Sequence, residues 1–136
     1  MIVSKNLVVG KAAEFLVCYD LSLRGVRASL SPFEGSPYDV IGEYGGVMVK
    51  VQVKGASRPS DTQYSGGRSR YRWYHKESNA IADLIAYVAL DIGKVIYEVP
   101  PKNLKREKTL SLAGIEKASG SEKALAAVFG PIRAVE

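Results

Sequence analysis

A Gly-Gly pair at residues 45–46 stands between two strand-like runs, DVIGEY before it and VMVKVQVK after it. That arrangement commits the stretch from Ser36 to Lys54 to a tight β-hairpin, because two glycines between alternating runs supply the positive φ that such turns need. With the loop at Gly45-Gly46, Tyr44 faces Val47, Gly42 faces Val49, Val40 faces Val51 and Asp39 lies opposite Gln52. Opposed residues on one face have Cβ atoms about 4.5–5.5 Å apart, close enough for both side chains to reach one small ion.

Strand side chains alternate, so the second run sorts itself by parity. Val47, Val49, Val51 and Val53 form the core face; Met48, Lys50, Gln52 and Lys54 point the other way. A carboxylate (Asp39), an amide oxygen (Gln52) and a lysine (Lys54) then share one face just before a Gly-Ala-Ser loop. These are groups that phosphodiester hydrolysis requires: hard oxygens to hold a divalent metal, and a cation to orient water or offset charge on the phosphate. The plain alternative is a hairpin with a polar outer face.

Pro37-Tyr38-Asp39 followed by Gln52-Val53-Lys54 resembles the PD-(D/E)XK nuclease superfamily, in the variant with Gln in place of the second acid. The order of helix, Asp strand, VQVK strand, Tyr-rich loop, ADLIAYV and KVIYEVP is similar to the branch that holds cyanobacterial group I intron homing endonucleases and, more distantly, archaeal Holliday junction resolvases. The likeness covers roughly residues 5–101, and it departs from the family pattern in reading Pro-Tyr-Asp rather than Pro-Asp. It implies an α/β fold with a restriction-endonuclease-like core, a central mixed β-sheet flanked by helices. It also implies a metal site of Asp39, Glu14, the Gln52 oxygen and the Val53 carbonyl for Mg²⁺, with Mn²⁺ an alternative, and Lys54 as the group that positions water. Asp39, Gln52, Lys54 and Glu14 are thus the expected catalytic residues.

Residues 5–24 read as the first helix, with Asn6 as cap and Gly25 as stop. Apolar residues lie nearly all round it, which predicts a helix largely covered by other elements. Glu14 shares a side with Leu7, Val17 and Leu21; taken alone it reads as an exposed acid paired with Lys11, and the metal role comes from the resemblance. Val26–Ser31 reads as a strand, and Pro32, Gly35 and Pro37 mark the loop into the hairpin, with Ser36 and Pro37 near the metal. Glu43, opposite Met48, reads as a surface charge near the turn.

Residues 55–80 carry Arg58, Arg68, Arg70, Arg72 and Lys76, interleaved with Tyr64, Tyr71, Trp73 and Tyr74. Cations there would neutralise phosphates while rings stack on bases or sugars, which makes Arg58, Arg68, Arg70, Arg72, Tyr71, Trp73 and Lys76 the candidate contacts to double-stranded DNA. The competing expectation is a hairpin with arginines outside and aromatics in the core. His75, with no second histidine and one distant cysteine, cannot build a zinc site and reads as a surface or phosphate contact.

Ala80–Leu90 and Lys94–Val99 read as a second hairpin closed by Pro100-Pro101, with LIAYVAL apolar enough for a strand covered on both faces. Asp83, at a strand start, is expected to be structural. Residues 1–101 form the expected nuclease core, and 102–136 a basic extension of the same domain. A capping box of Ser119 and Glu122 predicts a helix near 120–129. That segment could carry specificity, dimerise or pack on the sheet.

The whole chain sets the remaining bounds. Its 136 residues suit one domain, and 19 Lys and Arg against 14 Asp and Glu give a net charge of +5, a moderate bias toward polyanions. Cys18 is the single cysteine, which excludes an intrachain disulfide and fits a reducing, cytoplasmic setting. Apolar stretches are interrupted by charge, so no membrane span is expected. One active site per small domain implies a homodimer or homotetramer for cutting two strands. A junction-resolving nuclease, and a non-catalytic DNA-binding module on the same fold, are the rival functions.

Overall fold

The computed structural model describes residues 4–33, 36–60, 69–76, 81–118 and 120–133. The first element is the helix α1 (Lys5–Leu23), which begins at Ser4 rather than at the expected Asn6: the Ser4 hydroxyl accepts from the Leu7 amide. Past it the chain reverses through Gly25 at φ +91°. Strand β1 (Arg27–Leu30) leads to the hairpin β2 (Val40–Tyr44) and β3 (Val47–Ala56). Tyr44 pairs with Val47, Gly42 with Val49 and Val40 with Val51, the register expected from the glycine turn, and both turn glycines have positive φ.

Strands β4 (Tyr71–Tyr74), β5 (Leu84–Ala89), β6 (Lys94–Glu98) and β7 (Glu107–Leu110) follow, with a 3-10 turn at Leu90–Ile92 between β5 and β6. Two helices, α2 (Leu112–Lys117) and α3 (Gly120–Phe129), come next. Five strands make one mixed sheet in the order β1-β2-β3-β5-β6, in which β3 and β5 are parallel and the other pairs antiparallel. Every residue of β5 is buried, as its unbroken apolar run requires. Asp83 splices β5 onto β3: its amide donates to the Lys50 carbonyl and its carboxylate accepts from the Lys50 amide, a structural role as expected.

Each face of the sheet has its own core. On the valine face, Ala13, Val17 and Leu21 of α1 pack with Val40, Val49, Val51, Leu84 and Val88, together with Leu125 and Phe129 of α3. α1 comes so close to β3 that a Cβ at Gly55 would stand 2.8 Å from Cβ of Ala13. On the opposite face, Ile85, Tyr87, Ala89 and Ile96 meet Tyr71 and Trp73 of β4 and Ile115 of α2.

Two features differ from the sequence expectation, and two agree with it. β4 pairs with β7 in a separate two-stranded sheet, and neither β7 nor α2 was anticipated, because EKTL carries too little apolar alternation to announce a strand. The last segment packs against the sheet, through α3 on the valine face and β7 against β4. The helix at 120–129 is present, while Ser119 of the expected capping box lies outside the described residues. Finally, among the described residues α1 is covered on one side only: Val8, Phe15, Tyr19 and Leu23 remain exposed.

Candidate active site

The ladder between β2 and β3 ends at Val40 and Val51, so the expected pairing of Asp39 with Gln52 is not part of it: Asp39 stands just beyond and bonds to Val51 and Val53, the two neighbours of Gln52. Its backbone stays tied in: the amide donates to the Val51 carbonyl at 2.9 Å and the carbonyl accepts from the Ser31 amide at 2.8 Å. Its carboxylate Oδ2 accepts from the Val53 amide at 2.8 Å. A carboxylate offers about four lone-pair positions, so one bond to Val53 fixes the group and leaves the rest for a cation.

Glu14 reaches the same end of the sheet from α1. The helix crosses β3 where Gly55 admits Val9 and Ala13, and Glu14 is the next residue along. Its side chain is 16% exposed and pairs with Lys11, Nζ to Oε1 at 3.4 Å. Burial pushes the Glu14 carboxyl above its usual range, the negative charge of Asp39 pushes it further up, and Lys11 opposes both. Glu14 thus pairs with Lys11 as expected, but is largely buried rather than exposed, and lies within electrostatic range of Asp39.

Gln52 and Lys54 lie two apart on β3, both half-buried, on the face away from the valines. The Cα partner of Lys54 on β5 is Tyr87, whose hydroxyl lies 2.8 Å from Nε2 of His75; the partner of Gln52 is Ile85. Burial, and then the charge of Glu98, raise the Tyr87 pKa, keeping the phenol protonated. Near the mouth of the hairpin the Lys50 ammonium sits 5.8 Å from the centre of the Tyr38 ring, and the Ser36 hydroxyl accepts from the Tyr38 amide. Glu43 accepts from the Gly46 amide, a turn contact remote from Asp39.

Among the described residues no group of three or more His, Cys, Asp or Glu could hold a metal ion. Glu14 and Asp39 repel one another, and these two carboxylates, like the Gln52 amide and the Val53 carbonyl, could offer a cation oxygen only. That chemistry fits Mg²⁺ or Mn²⁺ and does not fit zinc.

The aromatic part of the expected DNA surface is corrected by the structure. Tyr71 and Trp73 are each only 1% exposed. They stack on one another inside the second core, and Trp73 Nε1 donates to the Val88 carbonyl. No face of either ring is open to a base, because the alternation of β4 turns them onto the sheet. His75 is buried too, edge-on to Tyr87, rather than a surface contact. Arg72 Nη1 is paired with Glu107 at 2.6 Å. Arg58 and Lys76 are exposed and Arg70 is half-buried, at an isolated bridge between Ser60 and Arg70. Arg68 and Tyr64 lie outside the described residues.

What the sequence missed is the pair Tyr87 and His75 beside Lys54. Its signal was the parity of Tyr87 within LIAYVAL, usable only once β5 is known to lie parallel to β3 in this register. Among the described residues no helix is long and apolar enough to cross a membrane.

Comparison with protein-family models and with curated proteins gives no match. Among solved structures, the fold is similar to that of a bacterial homing endonuclease, I-Ssp6803I, with a TM-score of 0.62 at 15% sequence identity over 79% of this chain and 78% of that one. The likeness is one of fold; in this chain that fold is a mixed α/β architecture with a central five-stranded sheet flanked by helices.

Proposed function

We propose that this chain is a metal-dependent DNA endonuclease of the PD-(D/E)XK type, acting at specific sites as homing endonucleases do. The observation that carries the reading is the anchoring of the Asp39 carboxylate by the Val53 amide, with Glu14 in electrostatic range and Gln52 and Lys54 on the adjoining strand. The likeness in fold to a homing endonuclease supports it.

Asp39, Glu14, the Gln52 oxygen and the Val53 carbonyl would hold Mg²⁺, which supplies Lewis-acid stabilisation of the charge that develops on the scissile phosphate. Asp39 contributes a fixed anionic oxygen, oriented before substrate arrives. Glu14 adds a second negative charge, and the mutual repulsion of the two is relieved when a cation lies between them. The Lys54 ammonium orients water toward phosphorus and offsets charge on the phosphate oxygens. Arg58, Arg70 and Lys76 are available to neutralise flanking phosphates, and cutting both strands calls for a homodimer or homotetramer.

The test is cleavage of a randomised duplex library with Mg²⁺, Mn²⁺ and EDTA. Metal-dependent cuts at a selected sequence support the reading. Cuts confined to four-way junctions would make it a junction resolvase, and tight binding without cutting in any metal would make it a binding module.

A further inference from the structure

The outward side of α1 presents a row that no other described element covers. Val8, Ala12, Phe15 and Tyr19 recur at steps of four, three and four, on the side opposite the buried Ala13, Val17 and Leu21. Phe15 is 60% exposed and Tyr19 62%. This is the spacing of a helix–helix seam, in which a side chain of one helix enters a hole framed by four residues of another. The row already contains such a hole. Val8, Lys11, Ala12 and Phe15 frame an open apolar hollow of about 390 Å³, deepened by the small side chain of Ala12, with Leu7 on its wall.

We propose that a second copy of this chain docks on this face, α1 against α1 and antiparallel, with Phe15 entering the hollow at the partner subunit's Ala12. The register that sets Phe15 against that alanine also sets Tyr19 against the partner subunit's Val8, large against small, and the twofold axis repeats both contacts. Foreign surfaces need not show this self-complementarity. Charge agrees: the cation at the rim, Lys11, is paired with Glu14 of its own chain, so two copies meet without repulsion and a polyanion gains little. Area agrees as well: Leu7, Val8, Phe15, Tyr19 and Leu23 of α1 are each more than half exposed, and at roughly 100 Å² apiece they give on the order of 1,000 Å² for the pair, the lower bound of a specific interface. The surface would supply the dimer that the endonuclease reading needs, but association is measured without DNA, so each can fail while the other stands.

Sedimentation velocity of the full chain across the micromolar range tests the proposal, with Phe15→Glu and Ala12→Phe as variants. The wild type should sediment as a dimer, and each variant should associate at least about 30-fold more weakly, the size of a hot-spot effect. Thermal melts of the dissociated variants should show a folded monomer, since both positions face outward. A wild type that stays monomeric throughout overturns the proposal, as does a dimer undiminished in both variants. Dissociation of Phe15→Glu with an intact dimer in Ala12→Phe overturns the seam described.

Discussion

The backbone amide of Val53 donates to the carboxylate of Asp39 across the end of the β2–β3 hairpin, at 2.8 Å. The strand that carries Gln52 and Lys54 therefore also sets the aim of Asp39. Asp39→Asn keeps an oxygen for that bond and removes only the negative charge. Cleavage is expected to fall by at least about 100-fold, roughly 3 kcal/mol of transition-state stabilisation, while DNA affinity and melting temperature change little. Single-turnover rates beside a binding isotherm check both halves.

Glu14 should behave as a residue held at some expense to stability. Its carboxyl titrates above the ordinary value of 4.5, so between that value and its folded pKa the unfolded chain has released a proton that the folded chain retains. Stability therefore falls as pH rises through that window, and ionised Glu14 opposes folding at neutral pH. Glu14→Gln should melt at or above the wild type at pH 7, the gain should vanish below about pH 4, and cleavage should need more Mg²⁺ or cease. A variant that melts clearly lower at pH 7 would show that the pairing with Lys11 outweighs burial and Asp39.

Gln52 lends at most one neutral oxygen. Gln52→Glu adds a charge to the donor set and should lower the Mg²⁺ concentration needed for half-maximal cleavage by several-fold, whereas Glu14→Gln should raise it or end activity. Both are read from rate against Mg²⁺ on one duplex. The opposite order would mean that the Gln52 amide donates its NH₂ to DNA or to a carboxylate.

The basic and aromatic residues of the long loop should separate cleanly in mutagenesis. Arg58→Ala with Lys76→Ala should flatten the log–log dependence of duplex affinity on salt by about 0.9 for each phosphate no longer neutralised, without changing stability. Trp73→Ala should destabilise by about 3–5 kcal/mol, because it empties a filled core position and removes the bond to Val88. An unchanged salt slope would place the DNA path elsewhere.

These contrasts follow from what the chain states locally and what it leaves to long-range pairing. The hairpin was legible because Gly45-Gly46 fixes a turn, and the turn fixes the register from Tyr44–Val47 out to Val40–Val51, though not the pairing of Asp39 beyond it. The burial of β5 was legible from its unbroken apolar run. The positions of Tyr71, Trp73 and His75 were not, since aromatic residues alternating with arginine suit a nucleic-acid surface as well as a strand laid over a sheet. What decides between them is β7, a charged strand that pairs with β4 and holds it over the sheet. The exposed side of α1 was misjudged for a related reason: apolar residues all round a helix predict cover without saying whether this chain provides it.

The topology of the main sheet carries a consequence for the order of folding. Its antiparallel pairs join sequence neighbours, so β1-β2-β3 and β5-β6 are two halves that can each close locally. They meet along one parallel seam, β3 against β5, whose clamp joins Lys50 to Asp83 across 33 residues of sequence. Closing that loop is the slow step that sheets of high contact order face. Gln52 and Lys54 lie on the seam itself, so the neighbours of the polar pair, Ile85 and Tyr87, arrive only when the halves join. Until then the chain holds a formed hairpin and an anchored Asp39 beside an unfinished floor, and the surroundings of Gln52 and Lys54 are completed only by that pairing.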